Sequence, residues 1–555
     1  MRVNLYALFF TFLSPLVALA QQEPGILPQS VRLGLSTEAV PAVHAAGFDA
    51  AAALEDDLRR DADGLLPLYG RMVTVGASLY SNGVWNTLPN GDRIWRLKVI
   101  SGGALGTDLF FEDMHLPPGA TLHVYDPAQQ VVLGAFLDKH MSAHGRFATE
   151  MVLGESCIVE YFEPAAVQGE GRFTIDRLSH AYRMVVDARA SDACQVDVNC
   201  SEGEGWEAQR DAVVRIRVVI PEGTGWCTGV LMNNTNENCT PYILTALHCG
   251  LGATATNYDT WLFRFKYQRS GCGTGAIPQG NQMTGCVKRA DSNDDGGEEG
   301  SDFLLVELNE AIPMNYNPYF AGWSVANVAV PSGKTIHHPS SDIKKISTFT
   351  SALQTSGWGV NNSHWRVVWS PTDNGAGVTE PGSSGSPIFD QNKRVIGTLT
   401  GGASCCTLNG CGSFTGPNQP DFYGKMSHHW TGNPNAPNQK LREWLNPGGG
   451  TTIFDGSYDP CGMGVGIEED AASGRIEVYP NPSSDRFTVK YPEGVVRADR
   501  VEITDLSGRL IHVDVPNSSG KAQIDASGWS SGTYLVNVIA GGVRYAGAKL
   551  VVQGR

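Results

Sequence analysis

Ten of the twelve cysteines in this 555-residue chain fall between Cys194 and Cys411, with Cys157 before them and Cys461 after. What such a cluster means depends on the compartment, and the N-terminus indicates which one. The run MRVNLYALFFTFLSPLVALA begins with Arg2, continues through a short apolar stretch and ends in the small-x-small triplet Ala18-Leu19-Ala20. Residues 1–20 therefore read as a signal peptide; the run is too short for a membrane anchor and ends in a cleavage pattern. No other apolar stretch is long enough to span a bilayer. In an oxidising compartment clustered cysteines form disulfides more readily than metal sites or redox pairs. The middle of the chain is thus expected to be a cross-linked unit.

The flanks are built differently. The length exceeds one core, so several domains are expected. Residues 21–190 hold strand-like runs, RIWRLKVI (93–100), TLHVYDP (121–127), VVLGAFL (131–137) and CIVEYFEP (157–164), separated by turn signals such as LPPGA. Residues 191–460 form the Cys-rich middle, and 461–474 (CGMGVGIEEDAASG) read as a linker. Residues 475–555 alternate in short strands, the pattern of a small β-sandwich. Amphipathic heptads are absent, so the whole is read as all-β. The net charge of −16 argues against a nucleic-acid partner and suits an acidic exported protein.

The stretch VTEPGSSGSPIFD (378–390) carries three serines in a Gly- and Pro-rich turn. A hydrolase nucleophile needs a base, a carboxylate to orient the base, and amide donors for the oxyanion. With Ser384 as nucleophile the donors are the N–H groups of Gly382 and Ser384. For Ser383 the residue two before is Pro381, which has no N–H; for Ser386 the Gly-x-Ser-Gly pattern is lost. Ser384 is the candidate, with Ser383 and Ser386 as small spacers. The base candidate is His248, at the end of the apolar run YILTAL and followed by Cys249. The carboxylate candidate is Asp302, which precedes the apolar run FLLVEL. The loop DSNDDGGEEGSD (291–302) is crowded with carboxylates but lacks the spacing of a twelve-residue calcium loop. No metal and no cofactor are expected.

Taken in order, CTGVLMNNT, LTALHCG, SDFLLVELN, AGWSV, IHHPSSDIKKIS, GVTEPGSSGSPIFD and DFYGKM resemble the lysyl endopeptidase group of chymotrypsin-fold serine peptidases over about residues 194–447. The resemblance implies a double β-barrel and a triad of His248, Asp302 and Ser384. It also implies cleavage after Lys, possibly also Arg, at a pocket based on Asp421 in PDFYGKM. Val378, six residues before Ser384 where trypsin has its pocket aspartate, is apolar. A buried carboxylate at the foot of a pocket demands a cationic partner. Trp358 in SGWGV matches the family's cleft tryptophan, while Thr400 replaces the histidine that stacks beside it. The edge Thr400, Gly401 and Gly402 would pair with substrate backbone. The resemblance further implies bridges Cys194–Cys406, Cys200–Cys272 and Cys227–Cys249; Cys239–Cys286 and Cys405–Cys411 are suggested for four of the rest.

In this group residues 21–190 would be a propeptide. No lysine occurs between Lys139 and Lys266, and the basic residues just before Cys194 are Arg183 and Arg189. A strict lysine enzyme could not release its own N-terminus there. The tail pieces VYPNPSSDRFTV, DLSGRL, SGTYLVNV and KLVVQ resemble the C-terminal sorting domain of type IX export. Together these features imply a secreted or surface-attached monomeric protease, whose partners are Lys- or Arg-containing substrates and the sorting machinery. The competing expectations are a catalytically dead relative serving as an adhesin or binding module, and a calcium-dependent module on residues 291–302.

Overall fold

A computed structural model describes residues 25–553, except 142–143, 184–190, 279, 297, 408–415, 463–475, 492–497, 506–509, 516–519 and 541–542. The signal sequence, Arg189, Cys411 and nearly all of the 461–474 linker fall outside the described residues. Strands dominate; the longest described helix is Ala50–Ala62, started by the Asp49 carboxylate on the amides of Ala51 and Ala52. Two compact units are present, one ending at Pro460 and the other running from Cys461 to the C-terminus.

The leading region stacks two sheets. One orders Ala42–His44, Arg93–Ile100, Ser156–Glu163, Thr121–Tyr125 and Val132–Phe136; the other contains Leu68–Ser78, Arg172–Ala181 and Gly106–His115. Alternate side chains of both meet in one core that includes Trp95, Leu97, Leu109, Phe111, Val159 and Leu178. The second sheet does not stop near residue 190. Leu68–Ser78 pairs with Gly223–Met232, with Gly70 opposite Thr224 and Leu68 opposite Gly225. Leu66, Leu68, Phe110 and Ala148 share a core with Ile216, Val218, Cys227 and Phe263. The expected boundary at 190 is therefore not a boundary in the sheet.

This junction explains two charges inside an apolar strand. Arg215 and Arg217 lie on the same side of Val213–Ile220 and are only 5% and 1% exposed. Arg215 bonds Glu150 at 2.8 Å and stacks on Trp226 and Tyr267. Arg217 faces Asp108 at 3.6 Å and donates to the carbonyls of Thr149 and Thr260. Burial pushes the Asp108 carboxyl up to about 6, against the pull of Arg217.

The middle has two strand systems. The first runs Val213–Ile220, Gly223–Met232, Tyr242–Thr245, Leu304–Leu308 and Cys286–Asp291, all antiparallel. The second orders Lys345–Phe349, Gly333–His337, Pro387–Asp390, Val395–Gly402, Asp421–Lys425, Val360–Val367 and Gln354–Trp358. A shared core of Val230, Leu244, Leu305, Ile336, Phe389 and Met426 joins them.

Disulfides link Cys194 to Cys406, Cys200 to Cys272 and Cys227 to Cys249. The suggested Cys239–Cys286 bridge is not formed: Cys239 is bonded elsewhere and Cys286 is a free, buried thiol. Sequence order carries no pairing rule for cysteines that topology separates. Cys405–Cys411 involves a residue outside those described.

The C-terminal unit is a sandwich of two sheets, Glu477–Tyr479 with Arg486–Lys490 and Lys521–Asp525 in one, and Leu510–Asp514, Arg500–Asp505, Gly532–Ala540 and Val543–Val552 in the other. Phe487, Val489, Val501, Ile503, Val536 and Leu550 fill it.

Candidate active site

His248 sits on the single turn Leu247–Cys249, where the apolar strand Tyr242–Thr245 ends. The Cys227–Cys249 bridge ties that turn to the neighbouring strand. Asp302 grips His248 twice: Oδ2 meets the ring Nδ1 at 2.7 Å, and Oδ1 accepts the His248 backbone N–H at 2.9 Å. With Nδ1–H donated to the carboxylate, the neutral ring leaves Nε2 as its basic nitrogen. Burial opposes charge on His248, but the Asp302 carboxylate and their hydrogen bond outweigh it and hold the ring above the ordinary histidine value. Burial likewise opposes charge on Asp302, yet His248 and its donors hold the carboxyl below the usual range.

Asp302 has a left-handed backbone, φ 55°, a conformation costly for a residue with a Cβ. Asp294 supplies the restraint. Its Oδ2 accepts the amides of Ser301 at 2.5 Å and Asp302 at 3.0 Å, and its Oδ1 accepts the Ser292 hydroxyl at 2.5 Å. One carboxylate of the acidic loop is thus an internal anchor for Asp302. The sequence singled the loop out for its charge but not this residue; one Asp among the many carboxylates of the loop carries no distinguishing signal.

Ser384 lies on the turn between Glu380 and Pro387, and its carbonyl accepts the Thr228 amide at 2.8 Å. That carbonyl is 3.9 Å from Cys249 Sγ, so the turn abuts the His248 segment. Gly385 permits the approach: a Cβ there would stand 2.6 Å from the Ala246 amide. No hydrogen bond joins the Ser384 hydroxyl to His248 among the described residues; the hydroxyl is free to rotate. The Gly382 and Ser384 amides likewise have no acceptor among the described residues. Ser383 and Ser386 are not mere spacers: both are buried, and Ser383 Oγ meets His337 Nδ1 at 2.7 Å.

Asp421 is fully buried on the strand Asp421–Lys425. Its Oδ2 accepts Ser404 Oγ at 2.6 Å, Trp369 Nε1 at 2.6 Å and Thr379 Oγ1 at 2.8 Å. Its Oδ1 accepts, among the described residues, only the Ser404 amide, at 3.2 Å. No cation is paired with it among the described residues, and burial raises its carboxyl above the usual range despite those donors. Gly402 faces it, and a Cβ there would meet Oδ1. Val378 is buried in the adjoining apolar cluster.

The strand Val395–Gly402 pairs with Pro387–Asp390 only as far as Thr398, and on its other side with Asp421–Lys425 out to Gly402. Thr400, Gly401 and Gly402 thus have one ladder edge free among the described residues. Trp358 lies over Gly401, where a Cβ would come within 3.1 Å of the indole. The histidine missing at Thr400 is met from another strand: His364 Nε2 bonds Thr400 Oγ1 at 2.9 Å, and its ring centroid is 6.4 Å from that of Trp358. Burial depresses His364 to about 4, so it stays neutral.

Residues 188–424 match the family model for the lysyl endopeptidase C-terminal domain, and residues 477–553 match that for a secretion system C-terminal sorting domain. A lysyl endopeptidase of Pseudomonas aeruginosa is 27% identical over 344 residues, spanning 58% of this chain and 71% of that protein. Among solved structures, the thermostable serine protease AL20 from an extremophilic microorganism aligns at 13% identity and TM-score 0.29, over 39% of this chain and 92% of that one. Protease Anisep from Arthrobacter nicotinovorans aligns at 16% identity and TM-score 0.28, over 39% and 90%.

Proposed function

We propose that this serine endopeptidase, whose middle matches the lysyl endopeptidase C-terminal domain model and whose tail matches that of a secretion sorting domain, cuts peptide bonds on the carboxyl side of lysine. The reaction runs through an acyl-enzyme on Ser384. The observation that carries this is the double grip of Asp302 on His248, with the ring Nδ1 at 2.7 Å. It fixes the tautomer in which Nε2 accepts the Ser384 proton as Oγ attacks the carbonyl carbon. The imidazolium, stabilised by Asp302, then protonates the leaving amine. The Gly382 and Ser384 amides receive the negative oxygen. Water admitted after the amine departs reverses the sequence and releases the acid.

Lysine is favoured over arginine by the state of Asp421. Its Oδ2 already accepts three donors, so only Oδ1 has room for a substrate cation. A guanidinium fork needs both oxygens for its two-bond geometry, whereas a lysine ammonium binds as a compact point charge and can share the Ser404 and Thr379 hydroxyls. Arg183 is a poor processing site: it is 18% exposed and ion-paired to Asp57 and Asp61. With no lysine between 139 and 266, residues up to about 190 act as a propeptide that another protease removes. The leader of residues 1–20 carries the chain across the inner membrane, and the tail domain carries it outward.

Digestion of a mixed peptide library, with the cleaved bonds read by mass spectrometry, tests this. Cuts should follow lysine and disappear in Ser384→Ala, a loss on the order of 10⁶ in kcat. Cuts surviving in that variant, or spread across uncharged residues, would refute it.

A further inference from the structure

One buried titratable group beside the nucleophile turn has no part in the mechanism above. His337 ends the strand Gly333–His337 and is completely buried. Its Nδ1 lies 2.7 Å from Ser383 Oγ and its Nε2 lies 3.1 Å from Ser347 Oγ. Burial, with Lys345 nearby, drives its basicity down to about 3, so the ring carries one proton. It therefore accepts from one hydroxyl and donates to the other, and both ring nitrogens are satisfied.

Ser383 is the centre of the turn. Its hydroxyl accepts the Glu380 amide at 3.2 Å. Its own amide reaches the Glu380 carbonyl, and its carbonyl accepts the Ser386 amide, both at 2.9 Å. The Pro381 carbonyl accepts the Ser340 amide at 2.6 Å. These two carbonyls matter because of the planar trans peptide: the N–H of the next residue points the opposite way. Pro381 C=O turned inward points Gly382 N–H outward, and Ser383 C=O turned inward points Ser384 N–H outward. The segment that follows His337 adds a second tie. The His338 amide donates to Thr228 Oγ1, which donates to the Gly382 carbonyl at 2.9 Å.

We infer that His337 is a positioning residue of the oxyanion site: by holding the Ser383 hydroxyl it keeps the Gly382 and Ser384 amides aimed at the substrate carbonyl. It touches neither substrate nor reacting atoms and acts through Ser383. This rests on the reading of Ser384 as nucleophile.

The test compares His337→Ala, His337→Asn and Ser383→Ala with the unaltered full chain. Three readouts are used: labelling rate by a fluorophosphonate probe with the labelled residue mapped, kcat against KM on a lysyl amide, and competitive inhibition by butylamine, which probes only the Asp421 pocket. His337→Ala and Ser383→Ala should each slow labelling and kcat by about 10²-fold, within the range for losing an oxyanion donor. Butylamine inhibition should be unchanged. The asparagine amide should restore part of the rate, and the double variant should be no slower than either single one. Should His337→Ala fail to fold, Ser383→Ala and His337→Asn still decide. Wild-type rates in Ser383→Ala, or a parallel loss of butylamine inhibition, would overturn the inference. Failure of the nucleophile reading looks different: the probe would then label a residue other than Ser384 in the unaltered chain.

Discussion

Asp302 and Asp421 are both 0% exposed, both accept hydrogen bonds on each oxygen, and burial pushes both carboxyls up, yet their net shifts are opposite. Asp302 is held below the usual carboxylate range and Asp421 above it. The difference lies in the partners. Asp302 faces an imidazole that can take a proton and share the charge. Asp421 has only hydroxyl, indole and amide donors. Neutral donors soften the desolvation of a carboxylate but do not cancel it. Asp302 has a partner within the fold that can carry positive charge; Asp421 has none among the described residues, and in the proposed reading a substrate cation supplies it.

The largest expected effect comes from removing the charge of Asp302. Asp302→Asn removes the charge and allows the wrong histidine tautomer, so kcat should fall by about 10⁴. In the unaltered enzyme His248 must be neutral to accept the serine proton, and its basicity is raised above 6.5. The acid limb of kcat/KM should therefore lie above that value. An acid limb below 6.5 would contradict the double grip of Asp302.

Next is Asp421→Asn. If the cation is recognised through Oδ1, neutralising the group removes the charge pair. Lysine selectivity over an isosteric norleucine substrate should drop by roughly 10²–10³, the scale of breaking a buried ion pair. Turnover of norleucine itself should be little changed. Retained lysine selectivity would place the cation elsewhere.

The same two substitutions should move stability in opposite directions, which thermal melts of the Ser384→Ala background can read without self-digestion. A depressed carboxyl stabilises the fold above its unfolded value, and that contribution is lost as pH falls through the folded value. A raised carboxyl is a liability while ionised, and the liability is relieved as pH falls. At neutral pH Asp302→Asn should therefore lower Tm and Asp421→Asn raise it, with about 1 kcal/mol corresponding to roughly 1 °C in a unit that runs to Pro460. Equal shifts of one sign would break the comparison.

How much of this contrast the sequence could carry depends on where each cause lies. His248, Asp302 and Ser384 are marked by short local motifs: an apolar strand ending at a histidine, an aspartate opening another, and a Gly-Ser-Ser-Gly turn whose amide count singles out one hydroxyl. What stayed hidden depends on distant chain. Asp294, which holds the left-handed backbone of Asp302, is one of many carboxylates in an acidic loop. His364 reaches Thr400 from a strand that no spacing links to it. Arg215 and Arg217 sit in a run, VVRIRVVI, that gives no hint of Glu150 and Asp108 covering them. The continuous sheet between Leu68 and Gly225 and the unpaired Cys286 are likewise outcomes of topology, which local pattern does not encode.

The smallest effect tests the proposed preference for lysine over arginine. Trp369 Nε1 is one of three donors on Asp421 Oδ2. Trp369→Phe removes that donor while keeping an aromatic ring among Phe349, Val378 and Tyr423. Two consequences follow. The carboxyl, already raised by burial, loses a bond that favours its charged form, so lysine binding should weaken as pH falls sooner than in the unaltered enzyme. Oδ2 also gains an open acceptor position, and a guanidinium can then use both oxygens. The ratio of kcat/KM for arginine over lysine should rise severalfold, a net hydrogen-bond contribution of about 1 kcal/mol. Parallel assays of Lys and Arg amides across pH measure both. An unchanged ratio would mean that the saturation of Oδ2 does not set the choice, and pocket depth would have to.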